Sequence, residues 1–140
     1  MRIVVERDME QPGDRVWATL SDVEHIDRWL PDIAQSSATG FAVGETRDCR
    51  LAKKRLGVSE IHEVFTEAGE RSLGYTVSGF PFQWHNRWEV IGDDAPTVRI
   101  ETTMDLPWYL VPIAPVLKGM MKSQNRGMLQ ALDEGAAKRP

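Results

Sequence analysis

Alternating apolar and polar residues characterise the middle of the chain, from residue 33 to residue 105. A period of two places successive side chains on opposite faces of a strand. The alternation is clearest in two segments. The residues predicted to share the mainly apolar face are Trp84, Asn86, Trp88 and Val90 in the first segment and Val98, Ile100, Thr102 and Met104 in the second. The pattern predicts an antiparallel sheet with one dry face and one wet face, and Leu73, Tyr75 and Val77 continue the dry face one strand earlier.

Turn-forming residues divide this region into six strands, predicted near 33–39, 45–52, 57–66, 71–79, 83–91 and 97–105. The predicted turns lie at Gly40–Gly44, Lys53–Arg55, Ala68–Glu70, Gly79–Pro81 and Gly92–Asp94. A seventh strand is predicted at the start of the chain, because Arg2–Asp8 combines β-branched residues with charges.

Helical spacing appears on both sides of the predicted strands. Two short helices follow the first strand: one carries Val16, Trp17 and Leu20, and the next carries Ile26, Trp29 and Leu30 before Pro31 ends it. A long C-terminal helix is predicted from an apolar stripe formed by Ile113, Leu117, Met120, Met121, Gln124, Met128, Ala131 and Leu132. The simplest compact arrangement is an α+β domain, residues 1–140, in which a curved seven-stranded antiparallel sheet wraps around the long helix.

Composition and charge narrow the function classes. The net charge of −4 gives no basic footprint for nucleic acid, so we expect no nucleic-acid partner. The N-terminal residues lack the features of a signal peptide, which predicts a cytoplasmic protein. The least polar stretch, Leu106–Leu117, is interrupted by three prolines and is too short for a transmembrane segment.

Motifs for metal, cofactor and nucleophilic chemistry are not found in the sequence. Cys49 is the only cysteine, so no internal disulfide forms, and no histidine pair has metal-ligand spacing. Phosphate-binding glycine loops, dinucleotide fingerprints and nucleophile elbows are also missing. We therefore expect neither a metal nor a cofactor.

Three sequence pieces carry a resemblance to a known family. They are Pro12-x-x-x-Val16-Trp17-x-x-Leu20-Ser21-Asp22 running to Trp29-Leu30-Pro31, then Gly44-Glu45-Thr46-Arg47, and then Trp88-Glu89-Val90 before a glycine turn. Together they resemble the polyketide cyclase/dehydrase branch of the START and SRPBCC superfamily. The resemblance implies the helix-grip fold, shared with the major birch pollen allergen, and a deep cavity between the sheet and the C-terminal helix. Because members of that superfamily range from lipid carriers to cyclases, the resemblance leaves the activity open.

Aromatic rings and thioethers on the inward faces are typical of an adaptable apolar binding site. The alternative is that the same residues simply pack the core. The predicted ligand-binding residues are Trp29, Arg47, Cys49, Tyr75, Phe80, Phe82, Trp84, Asn86, Met104, Trp108, Met121, Gln124 and Met128.

Strand phase decides which charged residues reach the interior. One phase of the strand points Arg47 and Cys49 inward with Leu51, and the opposite phase points Asp48 and Arg50 inward. We favour the first phase because it buries Leu51. His62 would serve as a general base only if its side of the strand faced the cavity, and the sequence leaves this open. Arg47, His62 and Tyr75 are the candidate catalytic residues.

Two functions follow from these patterns. The first is a carrier or sensor that binds a small hydrophobic ligand of lipid, polyketide or aromatic type, as a monomer or homodimer. The alternative is a cyclase or dehydratase that acts on a polyketide-type substrate in the same cavity. An interior with one convergent charged pair would favour the enzyme, whereas a uniformly apolar interior would favour the carrier. A third class is a toxin-like or partner-binding module that contacts another protein through its exposed edge strand or its apolar loops.

Overall fold

A single antiparallel sheet dominates the computed structural model, which describes all 140 residues. Its strands are Arg2–Asp8 (β1), Ile33–Ser36 (β2), Thr46–Arg55 (β3), Val58–Ala68 (β4), Ser72–Ser78 (β5), Trp84–Ile91 (β6) and Thr97–Met104 (β7). They lie in the order β1-β7-β6-β5-β4-β3-β2. Strands β2 to β7 therefore form a meander, and β1 adds to the free edge of β7.

The helices are Gly13–Ser21 (α1), a 3₁₀ helix at Val23–Arg28, a second 3₁₀ helix at Trp108–Ile113, and the long helix Ala114–Lys138 (α2). Helix α2 lies across the concave face of the sheet and contacts β1 and α1. The predicted α+β helix-grip fold, with a long C-terminal helix, is confirmed. None of the helices combines the length and apolarity that a bilayer crossing needs.

Irregular pairing bends the sheet around α2. The register shifts between Ile33 and Gln35 on β2, between Arg50 and Arg55 on β3, and between Phe65 and Glu67 on β4. Such bulges bend a strand and increase its local twist. All three lie in the β2–β5 half of the sheet, which is the half that forms most of the cavity wall described below.

The turn between β3 and β4 lies three residues later than predicted. Lys53–Arg55 belongs to the end of β3, and the chain reverses at Leu56 and Gly57. Both turn residues have positive φ, 50° at Leu56 and 77° at Gly57, which is the requirement of a two-residue type I′ hairpin. Gly57 supplies this conformation, whereas the preceding basic residues only mark an exposed strand end.

The inward face of α2 also differs from the prediction. Ile113 and Met120, which were expected on the inward face, are exposed. The buried residues of α2 are Leu117, Met121, Asn125, Met128, Leu129, Leu132, Asp133 and Ala136. At about 100° per residue, Ile113 and Met120 lie roughly a third of a turn from the centre of the buried face. Trp108, expected inside, is 84% exposed because the 3₁₀ helix carries it away from the sheet.

The tightest packing lies under the C-terminal half of α2. Leu129 and Leu132 are fully buried, as are Val98 and Ile100 of β7 and Val16 of α1. The N-terminal half of α2, by contrast, spans an open part of the concave face. The hydrophobic core therefore fills one end of the space between α2 and the sheet and leaves the other end open.

Candidate functional site

A cavity of about 710 Å³ lies between the N-terminal half of α2 and strands β3 to β6. This volume falls within the range of small-molecule sites, and 15 of its 24 lining residues are hydrophobic. The apolar wall includes Ile26, Leu30, Ile33, Leu51, Ile61, Val77, Phe80, Phe82, Trp84, Leu117, Met121 and Met128. Such a lining suits a guest with a mainly apolar body.

The cavity opens between the β3–β4 hairpin tip and the first turns of α2. Arg55, Leu56, Gly119 and Met120 line the cavity and are themselves exposed, so they mark its mouth. Arg55 forms an ion pair with Asp32 across this rim, with 3.2 Å between nitrogen and oxygen.

A buried ion pair stands on the cavity wall. Arg47 of β3 and Glu63 of β4 are directly paired in the sheet register, so both side chains point to the concave face. The Arg47 Nε–H donates to Glu63 Oε1 at 2.6 Å, and the side chains are only 3% and 5% exposed. Charges buried this deeply require a partner, because an unpaired charge in a low-dielectric interior is strongly unfavourable.

Two aromatic rings hold the Arg47 guanidinium in place. Its central carbon lies 5.1 Å from the ring centre of Phe65 and 4.9 Å from that of Tyr75. Burial lowers the pKa of Arg47, but the Glu63 carboxylate more than offsets this, so the pKa is raised above its ordinary value. Nε is the only Arg47 nitrogen that hydrogen-bonds to protein, which leaves the terminal N–H groups of the guanidinium available to a guest.

Tyr75 and Cys49 stay protonated beside this pair. Burial, followed by the nearby Glu63 carboxylate, raises the pKa of Tyr75 to about 12 and the pKa of Cys49 to about 12. The Tyr75 hydroxyl accepts a hydrogen bond from Trp88 Nε1 at 3.1 Å, so its own proton can be donated elsewhere. Cys49 donates to Glu63 Oε1 at 3.5 Å, and at neutral pH it is a thiol and not a nucleophile.

A chain of hydrogen bonds connects α2 to the sheet. Asn125 Nδ2 donates to Thr102 Oγ1 at 2.9 Å, and Thr102 Oγ1 donates to Asn86 Oδ1 at 2.7 Å. The other polar atom of Asn125, Oδ1, is buried without a hydrogen-bond partner, although the residue lines the cavity. An unpaired buried acceptor is unfavourable, and because this oxygen has almost no accessible surface, a guest in the cavity reaches it only if the side chain shifts.

The structure brings nine of the predicted ligand-binding residues together on the cavity wall: Arg47, Tyr75, Phe80, Phe82, Trp84, Asn86, Met121, Gln124 and Met128. Four others lie elsewhere. Trp29 packs edge to face on Trp88 with 6.1 Å between ring centres, and Met104 is buried in the core. Cys49 lies beyond the cavity lining, next to Glu63, and Trp108 points to solvent.

His62 does not face the cavity. Its ring is half exposed and hydrogen-bonds through Nδ1 to the carboxylate of Asp48 on the neighbouring strand. The phase of β4 places Ile61, Glu63 and Phe65 on the concave side, which puts His62 on the outer face. The condition under which the candidate His62 would act as a general base in the cavity is therefore not met.

Sequence reasoning missed Glu63 and Asn125 as cavity residues. Glu63 lies between Ile61 and Phe65 in a period of two, and this apolar flanking was a signal for an inward glutamate. Asn125 lies four residues after Met121 and three before Met128, on the apolar stripe of α2. No three His, Cys, Asp or Glu side chains converge where they would hold a metal ion.

Comparisons with known proteins concern both the sequence and the fold. The sequence model of a family described as polyketide cyclase/dehydrase and lipid transport matches residues 1–137. No curated protein matches the chain in sequence.

Several solved structures share the fold. A Bacillus thuringiensis protein superposes with a TM-score of 0.78 at 17% identity, covering 99% of this chain and 100% of its own. Truncated norcoclaurine synthase from Thalictrum flavum gives a TM-score of 0.75 at 15% identity, covering 100% and 95%. Ara h 8.0201 gives 0.76 at 12% identity, covering 99% of both chains. At these identities the likeness concerns the fold alone.

Proposed function

The chain belongs to the polyketide cyclase/dehydrase and lipid transport family, and from this premise we propose that its cavity binds one small aromatic or polyketide-type molecule. The body of the guest lies against the apolar wall. A carbonyl or phenol oxygen accepts hydrogen bonds from the terminal N–H groups of Arg47.

The buried Arg47–Glu63 pair is the observation that carries this proposal. A cavity meant only for hydrocarbon would gain nothing from an ion pair whose burial costs several kcal/mol per charge. The pair fixes the position of a guanidinium whose terminal donors are unused by the protein. A polar group on the guest makes this arrangement useful, because charge-assisted hydrogen bonds are about twice as strong as neutral ones.

The shape of the apolar wall supports a flat guest. Phe80 and Phe82 pack against Trp84 with ring centres 5.2 and 5.9 Å apart, so three rings meet at one side of the cavity. Aromatic rings associate in offset or edge-to-face arrangements, which a planar guest can extend. Norcoclaurine synthase, which shares the fold, has been crystallised with dopamine and hydroxybenzaldehyde, and both are small aromatic molecules.

The expected affinity is moderate. Burying about 300 Å² of apolar guest surface contributes roughly 7 kcal/mol, of which association costs take at least about 4 kcal/mol. Two hydrogen bonds to buried groups add about 3 kcal/mol. The resulting free energy of about −6 kcal/mol corresponds to a dissociation constant on the order of tens of micromolar.

Titration with a pair of matched probes tests the proposal. We expect 2-naphthol to quench the emission of Trp84 and to bind roughly ten times more tightly than naphthalene, which has the same rings but no hydroxyl. The neutral double variant Arg47→Met/Glu63→Leu should bind both probes equally. Arg50→Met is the matched control, because Arg50 lies on the same strand but is exposed.

Two results would contradict the proposal. One is the absence of any response to either probe. The other is a double variant that keeps the preference for 2-naphthol, since the pair would then play no part in recognition.

A second function is favoured by the same ion pair, because a convergent charged pair in an apolar cavity is the arrangement expected of an acid–base enzyme. In this cyclase or dehydratase hypothesis, Glu63 removes a proton from the carbon next to a guest carbonyl. Arg47 and Tyr75 donate hydrogen bonds to the resulting enolate oxygen. Glu63 thus takes the general-base role for which His62 was a candidate from the sequence.

Deuterium exchange distinguishes this enzyme from a carrier. If the enzyme hypothesis holds, the protein in D₂O accelerates exchange at the α-carbon of 1-tetralone, a bicyclic aryl ketone, measured by proton NMR. Glu63→Gln should remove the acceleration, and Tyr75→Phe should reduce it. If fluorescence shows that 1-tetralone binds to the wild-type protein but exchange proceeds only at the rate in buffer, the enzyme hypothesis is excluded and the carrier hypothesis remains.

A further inference from the structure

Most of the exposed apolar side chains of the protein belong to two chain segments, each of which contributes residues to the cavity mouth. Nine large hydrophobic residues are exposed, and seven of them belong to the β3–β4 turn, the second 3₁₀ helix and the start of α2. These seven are Leu56, Trp108, Tyr109, Val111, Ile113, Val116 and Met120, with exposures between 46% and 84%. We call them the mouth surface. Exposed apolar clusters of this kind mark interaction sites.

The mouth surface is continuous with the opening of the cavity. Leu56 and Met120 line the cavity from opposite sides of its mouth. Ile113, Val116 and Met120 follow one another at intervals of three and four residues, so they lie on one face of the helix. Trp108 and Tyr109 precede this face directly and pack edge to face, with ring centres 5.9 Å apart.

The chain segments that carry the mouth surface have a net charge opposite in sign to that of the whole protein. Residues 49–59 and 106–132 contain seven lysines and arginines and no acidic residue, whereas the rest of the chain contains ten basic and 21 acidic residues. The only carboxylate that lines the mouth is Asp32, which is paired with Arg55. The two segments that border the opening are therefore basic on an acidic protein.

We propose that the mouth surface docks on a lipid bilayer that carries anionic headgroups. Tryptophan and tyrosine favour the boundary between headgroups and acyl chains, and the long side chains of Lys53 and Lys54, close to Leu56 in the β3–β4 hairpin, can reach the headgroups around them. A second copy of the chain fits less well, because a two-fold interface would place the same basic segments against each other.

Docking at this surface would bring the cavity mouth against the membrane. An apolar guest would then pass between bilayer and cavity without crossing water. This advantage rests on the proposed function, whereas the docking itself depends only on the exposed residues.

Vesicle flotation tests the docking. The protein should float with vesicles in which about a third of the phosphatidylcholine is replaced by phosphatidylglycerol, and much less with phosphatidylcholine alone. Lys53→Ala/Lys54→Ala should weaken binding roughly five-fold for each lysine, and added salt should weaken it further. Trp108→Ser should weaken it roughly ten-fold or more, because the indole no longer enters the interface.

The chain offers matched controls at a distance from the mouth. Val43 is an exposed apolar residue before β3, at the end opposite the β3–β4 turn, and Lys138 is at the far end of α2. Val43→Ser and Lys138→Ala should leave flotation unchanged. Trp108→Ser should still bind 2-naphthol, so that failure of docking and failure of the proposed function are distinguishable.

Three outcomes would overturn the proposal. The first is no flotation with either vesicle, and the second is an equal loss in the control variants. The third is a wild-type dimer in sedimentation equilibrium that becomes a monomer in Trp108→Ser, which would make the mouth surface a contact between two copies.

Discussion

Separating the two charges of the Arg47–Glu63 pair should destabilise the protein far more than removing both. Arg47→Met leaves a buried carboxylate without its cation, and Glu63→Leu leaves a buried guanidinium without its anion. The double variant leaves two apolar side chains that extend the existing cavity wall. Comparing the three variants isolates the interaction between the two residues.

The structure sets the size of each effect. With both side chains at most 5% exposed and 2.6 Å between nitrogen and oxygen, each single change should cost about 3–5 kcal/mol of unfolding free energy. Arg47→Met also loses the stacking on Phe65 and Tyr75, worth about 1 kcal/mol. Because apolar replacement of a whole buried pair is often close to neutral, the double variant should lie within about 2 kcal/mol of wild type. The coupling between the residues should therefore exceed about 3 kcal/mol.

Urea unfolding followed by tryptophan emission measures these free energies for all four proteins. The matched control is the cycle Arg87→Met/Glu67→Leu, whose pair has a 2.9 Å separation but is about one third exposed on both sides. Its coupling should stay below about 1 kcal/mol. Single-variant losses below about 1 kcal/mol at the Arg47–Glu63 pair, or a double-variant loss equal to the sum of the single ones, would show that the two buried charges do not depend on each other.

Three further predictions concern stability and reactivity. Gly127→Ala on α2 should raise the unfolding free energy by about 0.5–1 kcal/mol, because alanine favours the helix and its methyl group meets open space. Gly135→Ala on the same helix should lower the unfolding free energy by about 1–3 kcal/mol, because its methyl group would lie 2.5 Å from Trp29 Cβ. Equal urea midpoints for these two variants would contradict the packing. The pKa of Tyr75 is about 12 in the folded protein and 10.0 as its ordinary value, so its contribution to stability should be complete below pH 10.0 and lost as the pH rises toward 12. Between these pH values the urea midpoint of Tyr75→Phe should fall less than that of the wild-type protein. Cys49, buried and with its pKa raised to about 12, should resist iodoacetamide at pH 8 until urea unfolds the protein; rapid labelling of the native protein, followed by mass spectrometry, would count against its burial.

The fold was predictable because its local signals agree with its tertiary structure. In β6 and β7 every second residue is buried, and the apolar phase of the sequence is the phase that faces α2. This agreement is strong because a shift by one residue would expose a complete set of large side chains. The two short helices before Pro31 were likewise visible from spacing alone, although the second is a 3₁₀ helix.

The candidate site was less predictable because contacts between residues distant in sequence, and not the local pattern, decide which polar side chains are buried. Glu63 is stable inside only because Arg47 lies opposite it on the next strand, and a single strand's pattern does not contain that partner. Met120 was expected inside from its apolar character, yet the rotation of α2 is set by the tighter packing of Leu129 and Leu132 farther along the helix. Trp108 was expected inside for the same reason, and nothing in its immediate sequence indicates that its segment turns outward.

The pairing of the first strand with the last has a consequence for how the chain acquires its structure during synthesis. Arg2 is opposite Thr103, so β1 has no partner until about a hundred further residues have been made, while each hairpin of the meander can close as it emerges. Closing so long a loop is entropically costly, and contacts of high sequence separation slow folding. The waiting strand would be a hazard for aggregation if it were uniformly apolar. Both ends of β1 carry charges, which are those of Arg2, Glu6, Arg7 and Asp8. These charges keep the unpaired strand hydrated until β7 has been synthesised.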